Sequence, residues 1–384
     1  MPYRTPWSAR HKAVTAGLPY NLSTSFTEPL SNEELIKLSV ERGDQDIVDA
    51  YYNHSLEYTP NGGSYDIREE IANLYGSEIC ADNIVVFAGG QVAIQTAAIT
   101  LLDESTHSIT FTPGYQSVQE APIHAGSEVT KIKLYPENNW QINPEKVKEA
   151  IRPDTKYISF NEPYNPAGTL MKANCQSELV NLAEKNDIYI LSDEVYRLLE
   201  HDASDRLPAM ADIYSKGISA VTMSKPWGGC GITIGWLAFQ ELALRQKLID
   251  TMYFHTACPS RASEIQGIMT LRASDQILAK NMKIIRHNIK LLDQFIKKYS
   301  DFFEWIRPNA GAICYMKFKG PLSSDELGAE LGKVGISIKP SYVFSENSTY
   351  DSDYFRVGFG EKVFPKALEV LTQFVEENKN MWCA

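Results

Sequence analysis

Between Asn83 and Phe239 the sequence alternates short apolar runs with amphipathic helical patterns, and this alternation limits the possible folds more than any other feature. Short apolar runs bounded by turn residues are typical of buried strands, and the longer periodic segments between them are typical of helices. The predicted strands are Asn83–Ala88, Ser108–Thr112, Glu128–Leu134, Lys156–Phe160, Ile188–Leu191, Ile218–Met223 and Thr233–Phe239, with helices at Gln91–Leu102, from Tyr115, and at Gln176–Lys185. The order predicts an α/β fold in which a mostly parallel sheet is covered by helices on both faces.

A different apolar period begins at Ser274 and predicts a single long amphipathic helix that ends near Tyr299. Its apolar residues recur every seven positions, as in Ile277, Ile284 and Leu291. A coiled-coil seam is one interpretation, but three heptads are short, and a helix that links two domains fits better. With 384 residues, the chain is expected to form two domains. We expect an N-terminal segment (1–45) that packs with the small domain, a large domain (46–275), and the linking helix with a small α+β domain (276–384).

Composition excludes several classes of protein. The chain is 43% hydrophobic and 22% charged, as in soluble globular proteins, and its net charge of -11 disfavours nucleic acid as a partner. No apolar run is long enough to span a membrane, and the N-terminus lacks the apolar core of a signal peptide. The six cysteines are scattered without a CxxC pair, and no Cys/His cluster indicates a metal. We therefore expect a cytoplasmic protein without disulfides, metal, membrane or nucleic-acid partner.

The stretch SKPWGGCGITIGW places Lys225 directly after the apolar run that ends in VTMS. Burying a lysine is costly unless its amine is paired or covalently bonded. Desolvation lowers the pKa of an amine and makes it a usable nucleophile or base. By itself this position favours the simpler interpretation, a lysine at a strand end that reaches solvent.

Polar residues follow two other predicted strands. Asp193, in SDEVY, could cap the next element or pair with a cationic ring nitrogen. At about 4 Å and an effective dielectric constant of about 20, the attraction between the carboxylate and the ring cation is about 4 kcal/mol. Tyr196 lies three residues further on. Asn165, in NEPYNPAG, lies in a turn fixed by two X-Pro steps, which is either a structural loop or a rigid mount for its side chain.

The segment FAGGQVAIQ, Phe87–Gln95, predicts a strand that turns into a helix at Gly89–Gly90. The N-terminus of such a helix offers free backbone N–H groups to a phosphate. A glycine pair at a strand–helix turn is weak evidence by itself. The glycine pair becomes informative when it is considered together with Lys225, Asp193 and Asn165.

Together, NPxG, DExY, SK and the late FRVGFG resemble the fold type I pyridoxal-phosphate (PLP) enzymes of the class I/II aminotransferase superfamily, over nearly the whole chain. The resemblance implies that Lys225 bonds covalently to PLP and shuttles the proton at Cα, and that Asp193 pairs with the pyridine nitrogen. It also implies a homodimer with a shared active site, because Tyr58 would reach the partner's cofactor. The remaining implied residues are Asn165 and Tyr196 on the ring oxygen, Tyr115 on the ring face, Gly90, Gln91, Thr222 and Ser224 on the phosphate, and Arg356 on the substrate carboxylate.

Several of these residues could instead have a purely structural role. Arg356 could form a salt bridge at a strand edge, and Tyr58 and Tyr115 could belong to the core. One position departs from the family pattern: where these enzymes carry an arginine eight residues after the lysine, this chain has Thr233, after a Gly228–Gly231 turn that contains Cys230. Losing a guanidinium removes a charge-assisted contact to the phosphate. Phosphate binding must then depend more on N–H groups and hydroxyls.

The reaction class is less constrained than the cofactor. Segments such as TPGYQSVQEAP resemble a branch that contains capreomycidine and enduracididine synthases, which implies a cyclodehydratase of a hydroxyarginine. The alternative is an ordinary aminotransferase. A cationic substrate calls for a carboxylate near its side chain, and Glu28 in NLSTSFTEPLS is the candidate, although it could equally be a solvated glutamate. A DNA-binding regulator is disfavoured because only about 20 residues precede the match, and an inactive binding protein because Lys225, Asp193 and Arg356 are all present.

Overall fold

The structure is a computed structural model that describes residues 6–15, 17–346 and 352–382, so the first five residues of the predicted N-terminal segment and Cys383 lie outside the described residues. The helices are α1 Trp7–Thr15, α2 Asn32–Glu41, α3 Gln45–Asn53, α4 Tyr65–Ala72, α5 Gly90–Leu101, α6 Gln116–His124, α7 Pro144–Ala150, α8 Ala173–Asn186, α9 Met210–Ile213, α10 Ala243–Tyr253, α11 Arg261–Arg272, α12 Ser274–Lys298, α13 Ser324–Lys333 and α14 Phe364–Trp382. The strands are β1 Tyr20–Asn21, β2 Ile84–Phe87, β3 His107–Thr112, β4 Glu128–Lys133, β5 Thr155–Asn161, β6 Tyr189–Asp193, β7 Gly217–Thr222, β8 Gly235–Phe239, β9 Phe303–Trp305, β10 Ile313–Phe318, β11 Ile336–Ser337, β12 Lys339–Pro340 and β13 Tyr354–Gly358.

A seven-stranded sheet in the order β2-β8-β7-β6-β5-β3-β4 forms the centre of the molecule. Strand β8 runs antiparallel to both its neighbours, and the other paired strands run parallel. The expected α/β fold with a mostly parallel sheet is therefore confirmed. The last predicted strand is shorter than expected: it starts at Gly235 because Cys230–Ile232 form a 3-10 turn and Thr233 is left-handed, with φ 56°.

Alternating side chains of β2 show how helices cover both faces of this sheet. Val85 and Phe87 pack into a cluster with residues of α5 and α10, whereas Ile84 and Val86 pack into a second cluster with residues of α4 and α11. All four strand residues are buried. A strand that is apolar on both faces is typical of a parallel sheet sandwiched between helices.

A second, antiparallel sheet in the order β12-β13-β10-β9 packs with α13 and α14 in the C-terminal part of the chain. The long helix α12 joins the two parts: Ile277 packs in a cluster of the large sheet, and Ile285 and Leu292 pack in the C-terminal cluster. Its apolar stripe is therefore buried within one protomer, and no coiled coil is needed to cover it. The proposed domain boundaries at 45 and 275 stay a prediction.

The N-terminal segment contacts both parts. Strand β1 pairs in parallel with β11, and Gly358 N donates 2.7 Å to the carbonyl of Leu22, while α2 packs on α3 and α11. Within the described ranges, no helix has the length and apolarity that crossing a membrane requires. The same residues contain no group of three or more His, Cys, Asp or Glu placed to hold a metal.

Candidate active site

The carboxyl ends of β5, β6 and β7 lie side by side and bring the predicted site residues to one edge of the sheet. Asn161 pairs in register with Asp193, which pairs with Ala220. The chain leaving β7 then carries Lys225. Because neighbouring parallel strands end at the same edge, residues far apart in sequence meet there.

Asp193 is a buried carboxylate, 1% exposed, at the end of β6. Asn161 Nδ2 donates a hydrogen bond to its Oδ2, and its Oδ1 has no hydrogen-bond partner. Burial raises the pKa of Asp193 to about 7, while the Asn161 contact, the Val195 backbone and the charge of Lys225 act in the opposite direction. A buried carboxylate with one unpaired oxygen fits a cationic ligand, because an opposite charge restores the ionised form.

Lys225 lies on the same side of the sheet as Asp193, and its charge is close enough to lower that carboxyl's pKa. Its Nζ donates a hydrogen bond of 3.0 Å to Ser25 Oγ. Its main-chain carbonyl accepts 2.9 Å from Thr27 Oγ1. The amine is thus held between the strand end and the N-terminal segment, partly buried rather than extended into solvent.

The N-terminus of α5 forms a cradle of backbone and hydroxyl groups. Gly89 precedes the helix with φ 99°, which favours glycine, and it supplies no side-chain cap. A Cβ on Gly90 would lie 3.3 Å from Thr222 Cβ, and Thr222 Oγ1 lies 3.3 Å from Ser224 Oγ. Gln91 is exposed, and its Nε2 donates 3.3 Å to Ser117 Oγ. Free N–H groups beside two hydroxyls suit a phosphate.

Thr233, the position that departs from the family pattern, borders this cradle. Its Cγ2 would lie 3.9 Å from a Cβ on Gly89. The residue is exposed, and its hydroxyl donates 3.3 Å to the carbonyl of Gly231. A longer cationic side chain at this position could reach the cradle, so the substitution changes the charge of the site and leaves its backbone in place.

Arg356 is buried, 2% exposed, in the middle of β13. Its Nη1 donates 2.9 Å to Asn165 Oδ1, and its Nη2 donates 2.9 Å to the carbonyl of Ser23. Its Nε has no partner, and no carboxylate of the described residues forms an ion pair with it. Burial lowers the pKa of the guanidinium. A buried guanidinium without a counter-charge suits an anionic ligand, and the surface salt bridge considered from sequence is not observed.

The loop that carries Asn165 is fixed by close packing on the C-terminal part. Gly168 has φ 68°, and a Cβ there would lie 2.6 Å from the carbonyl of Ile313. Backbone N–H groups of Asn309 and Ala310 both donate to the Gly168 carbonyl, at 2.8 and 2.9 Å. Packing on the C-terminal part therefore holds the loop in place, and the Asn165 side chain contacts Arg356.

Two predicted tyrosines lie beside these groups. Tyr196 is 1% exposed, and burial raises its pKa to about 12, against the charge of Arg356 and a hydrogen bond with Ser25. Burial also raises the pKa of Tyr115, which lies at the start of α6, while hydrogen bonds with Ser117 and Gln91 lower it. The charges of Asp193 and Arg356 act on the pKa of both tyrosines, so both hydroxyls lie near those two groups.

Tyr58 is exposed in this chain, and Glu28 packs near the turn after Lys225 with its carboxylate turned to Lys362. Tyr58 is 91% exposed, next to Leu56 at 94%. Glu28 Oε2 accepts 2.8 Å from the backbone N–H of Lys362, and its Oε1 lies 3.7 Å from Lys362 Nζ. The Glu28 carboxylate is thus already paired.

Sequence reasoning missed four side chains near the site. They are Ser25, Asn161, His11 and Lys339. Lys339 pairs in register with Arg356. His11 is 3% exposed, and its Nδ1 lies 3.4 Å from the Tyr342 hydroxyl. Burial and the charges of Lys339 and Arg356 lower the pKa of His11 to about 4. Asn161 opens the NEPYNPAG segment and could have been singled out there. Nothing in the sequence marks the other three.

The sequence profile of the family described as "Aminotransferase class I and II" matches residues 45–366. The chain belongs to this family. Members are PLP-dependent, and the residues above fit that cofactor: the unpaired Oδ1 of Asp193 suits a cationic ring nitrogen, and the α5 cradle suits its phosphate. In this class I/II family chain, Lys225, Asp193 and Arg356 are therefore the candidate residues for binding the cofactor and the substrate.

Three relatives illustrate the similarity of this family member to known proteins. A probable aspartate aminotransferase of Methanocaldococcus jannaschii is 26% identical over 330 residues, covering 83% of this chain and 85% of the relative. An arginine–pyruvate transaminase of Pseudomonas aeruginosa is 28% identical over 223 residues, covering 53% of this chain and 56% of the relative. The crystal structure of a PLP-dependent aminotransferase from Streptococcus suis superposes with a TM-score of 0.90 at 27% identity, covering 98% and 99% of the two chains.

Proposed function

We propose that the protein is a PLP-dependent cyclodehydratase that acts on a hydroxyarginine and forms a cyclic guanidino amino acid such as enduracididine. The observation that carries the PLP part is the unpaired Oδ1 of the buried carboxylate Asp193, on which the charge of Lys225 acts, while Lys225 Nζ contacts Ser25 and Arg356 contacts the nearby Ser23. The departure at Thr233 and the resemblance to the arginine-processing branch support the reaction class.

Each residue has a distinct task in this proposal. Arg356 binds the α-carboxylate of the substrate through a bidentate pair, and Asn165 fixes the orientation of the guanidinium. Lys225 Nζ then takes the proton from Cα and, in a second step, a proton from Cβ. When bound, PLP supplies an electron sink for the negative charge that develops at Cα. Asp193 holds a positive charge on the ring nitrogen, for which its unpaired oxygen is placed.

The overall change needs no second substrate. The C–O bond at Cγ breaks and the hydroxyl leaves as water, while a guanidine nitrogen forms a new bond to Cγ and gives up one proton. The protons that Lys225 removed return to the carbon skeleton. The sum is the loss of one water, so neither an oxidant nor a 2-oxo acid is consumed.

An aminotransferase reaction is the second candidate, and the names of the relatives favour it. Those relatives are described as transaminases of aspartate and of arginine with pyruvate. Transamination uses the same Lys225, Asp193 and Arg356, so the geometry of these groups does not separate the two reactions. The fate of the substrate does.

The experiment is to incubate the purified holoenzyme with γ-hydroxyarginine, arginine and aspartate, each with and without pyruvate, and to follow products by mass spectrometry. We expect hydroxyarginine to lose the mass of one water without any 2-oxo acid. Transfer of an amino group that requires pyruvate would refute the cyclodehydratase and support the aminotransferase. A Lys225→Ala variant should abolish either reaction, with Lys216→Ala, a surface lysine paired with Asp187, as control.

We also propose a homodimer in which Tyr58 reaches the cofactor phosphate of the partner subunit. The support is the exposure of this tyrosine, 91%, two residues after Leu56, which is 94% exposed. Exposed apolar surface of this kind is typical of an interface. Light scattering should give the mass of a dimer. Tyr58→Phe should release PLP faster on dialysis without lowering the melting temperature, whereas a monomeric wild-type protein would refute the shared site.

A further inference from the structure

The carboxylate of Glu361 lies at the edge of the candidate site, three residues after the end of β13. Its backbone is fixed, because Asn288 Nδ2 donates 2.9 Å to the Glu361 carbonyl. The preceding Gly360 packs so closely on the N-terminal segment that a Cβ there would lie 2.3 Å from the carbonyl of Phe26. Glu361 is therefore placed by the fold and is not a loosely held surface residue.

Among the described residues, the side chain of Glu361 has one hydrogen-bond partner. Thr24 Oγ1 donates 2.8 Å to its Oε2. The residue is half-buried, and burial raises its pKa, with a smaller contribution from the negative charge of Glu28. Among the residues that the structure describes, no lysine, arginine or histidine forms an ion pair with it.

Glu28, the carboxylate favoured by sequence, differs in this respect. Both its oxygens are engaged by Lys362, one by the backbone N–H at 2.8 Å and one by Nζ at 3.7 Å. A carboxylate that already has a cation is a poor receptor for a second one. A half-buried carboxylate that has no cationic partner in the described residues can pair with a positively charged ligand, and that charge would favour its ionised form.

Three consecutive residues tie Glu361 to the reacting groups. Ser23 accepts from Arg356 at 2.9 Å, Thr24 donates to Glu361 at 2.8 Å, and Ser25 accepts from Lys225 at 3.0 Å. Since successive Cα atoms are about 3.8 Å apart, the three charged groups lie around one short segment. Both Lys225 and Glu361 also act on the thiol of Cys230, the former lowering and the latter raising its pKa.

We propose that Glu361 is the specificity-determining residue that binds the guanidinium at the far end of the substrate's side chain. The proposal rests on the proposed function, in which Arg356 holds the α-carboxylate and Lys225 faces Cα. A carboxylate can accept two parallel N–H bonds from a planar guanidinium, whereas a neutral urea group of the same shape can offer two N–H groups but lacks the positive charge that strengthens the contact. The competing interpretation is an acidic substrate, whose side-chain carboxylate would bind Lys339, the register neighbour of Arg356.

The test measures binding and does not depend on the reaction catalysed. Calorimetric titration of the full-length protein, supplied with PLP, with L-arginine, L-citrulline and L-aspartate compares a cationic, a neutral isosteric and an acidic side chain. We expect arginine to bind at least about tenfold more tightly than citrulline, as for a charge-assisted contact. Glu361→Gln keeps an oxygen that accepts from Thr24, and it should reduce that ratio to about one by weakening arginine binding alone.

Two further variants complete the design. Glu28→Gln should retain the arginine preference, and so should Glu369→Gln, which removes one negative charge from α14 where Glu369 pairs with Lys366. A ratio that survives in Glu361→Gln overturns the proposal, as does a loss of preference in Glu28→Gln alone or tighter binding of aspartate than arginine. A protein that stays colourless with PLP refutes the proposed function, while the arginine-to-citrulline ratio still decides the role of Glu361.

Discussion

Lys225 Nζ donates a hydrogen bond of 3.0 Å to Oγ of Ser25, a residue 200 positions earlier in the chain. The contact joins the loop after β7 to the N-terminal segment, which also accepts a hydrogen bond from Arg356 through Ser23. The amine that is proposed to move the Cα proton and the guanidinium that is proposed to bind the carboxylate are therefore held by two residues of one short segment, Ser25 and Ser23. Positioning of this kind lowers the reorganisation that catalysis would otherwise require.

Replacing Asp193 by Asn should remove the negative charge that faces the ring nitrogen while keeping the size of the side chain. We expect the turnover of the holoenzyme to fall by at least about a hundredfold, because the proton step at Cα loses its electron sink. Steady-state kinetics measures this. The control is Glu194→Gln, an adjacent buried carboxyl held by Met210 N and Ser219 Oγ, which should retain most of the rate. Equal rates in wild-type and Asp193→Asn would contradict the role.

Arg356→Lys keeps the positive charge but loses the planar fork that contacts Asn165 and Ser23. We expect the KM for the amino-acid substrate to rise about 10- to 100-fold, as for loss of a charge-assisted contact, with a smaller change in kcat. Arg307→Lys, whose arginine is half-exposed and pairs with Asp293 at 2.9 Å, is the matched control. An unchanged KM would show that the carboxylate binds elsewhere.

Thr233→Arg should restore a guanidinium beside the cradle at the start of α5. Thr233 already has φ 56°, so arginine adds no backbone strain that the β-branched threonine does not carry. One added charge-assisted contact is worth about 1.5 kcal/mol, so we expect PLP to dissociate roughly tenfold more slowly. Dialysis followed by absorbance measures the retained cofactor. Thr233→Gln, which adds length without charge, should not slow release; equal slowing by both variants would argue against a charge effect.

Glu162 predicts a pH dependence of stability. Burial raises its pKa to about 8, against a hydrogen bond from the Met171 backbone N–H. Between its usual pKa and about 8 the folded protein binds more protons at this residue than the unfolded chain. The free energy of unfolding should therefore fall as pH rises through this window, by up to about 1.4 kcal/mol per pH unit from this group.

Urea unfolding of the cofactor-free protein between about pH 5 and about pH 8 tests this slope. Glu162→Gln, which cannot ionise, should show a shallower fall than wild-type. Lys146→Gln, on the surface and paired with Glu149, should leave the wild-type slope unchanged. Parallel profiles for wild-type and Glu162→Gln would mean that Glu162 does not titrate in this range.

The sheet and most of its strands could be predicted because apolar periodicity is a local property of the sequence. Strand β8 was placed two residues too early, since the left-handed turn at Thr233 depends on packing that a run of apolar letters does not reveal. Asp193, Lys225 and Arg356 could be selected from the sequence because each belongs to a recognisable motif, and their joint role in one site stays a prediction. Ser25 and Glu361 were missed because their importance comes from contacts between distant segments: Thr24 meets Glu361 across 337 positions.

Helix α12 and the residues from Tyr20 to Glu28 each contact both halves of the molecule. Asn281 of α12 donates a hydrogen bond of 2.9 Å to Thr27 Oγ1, so these two elements also contact each other directly. A fragment that began after Glu28 would still contain the motifs that identify the family. It would nonetheless lack the N-terminal residues that contact both Lys225 and Arg356. The motifs alone would therefore overestimate the activity to be expected of such a fragment.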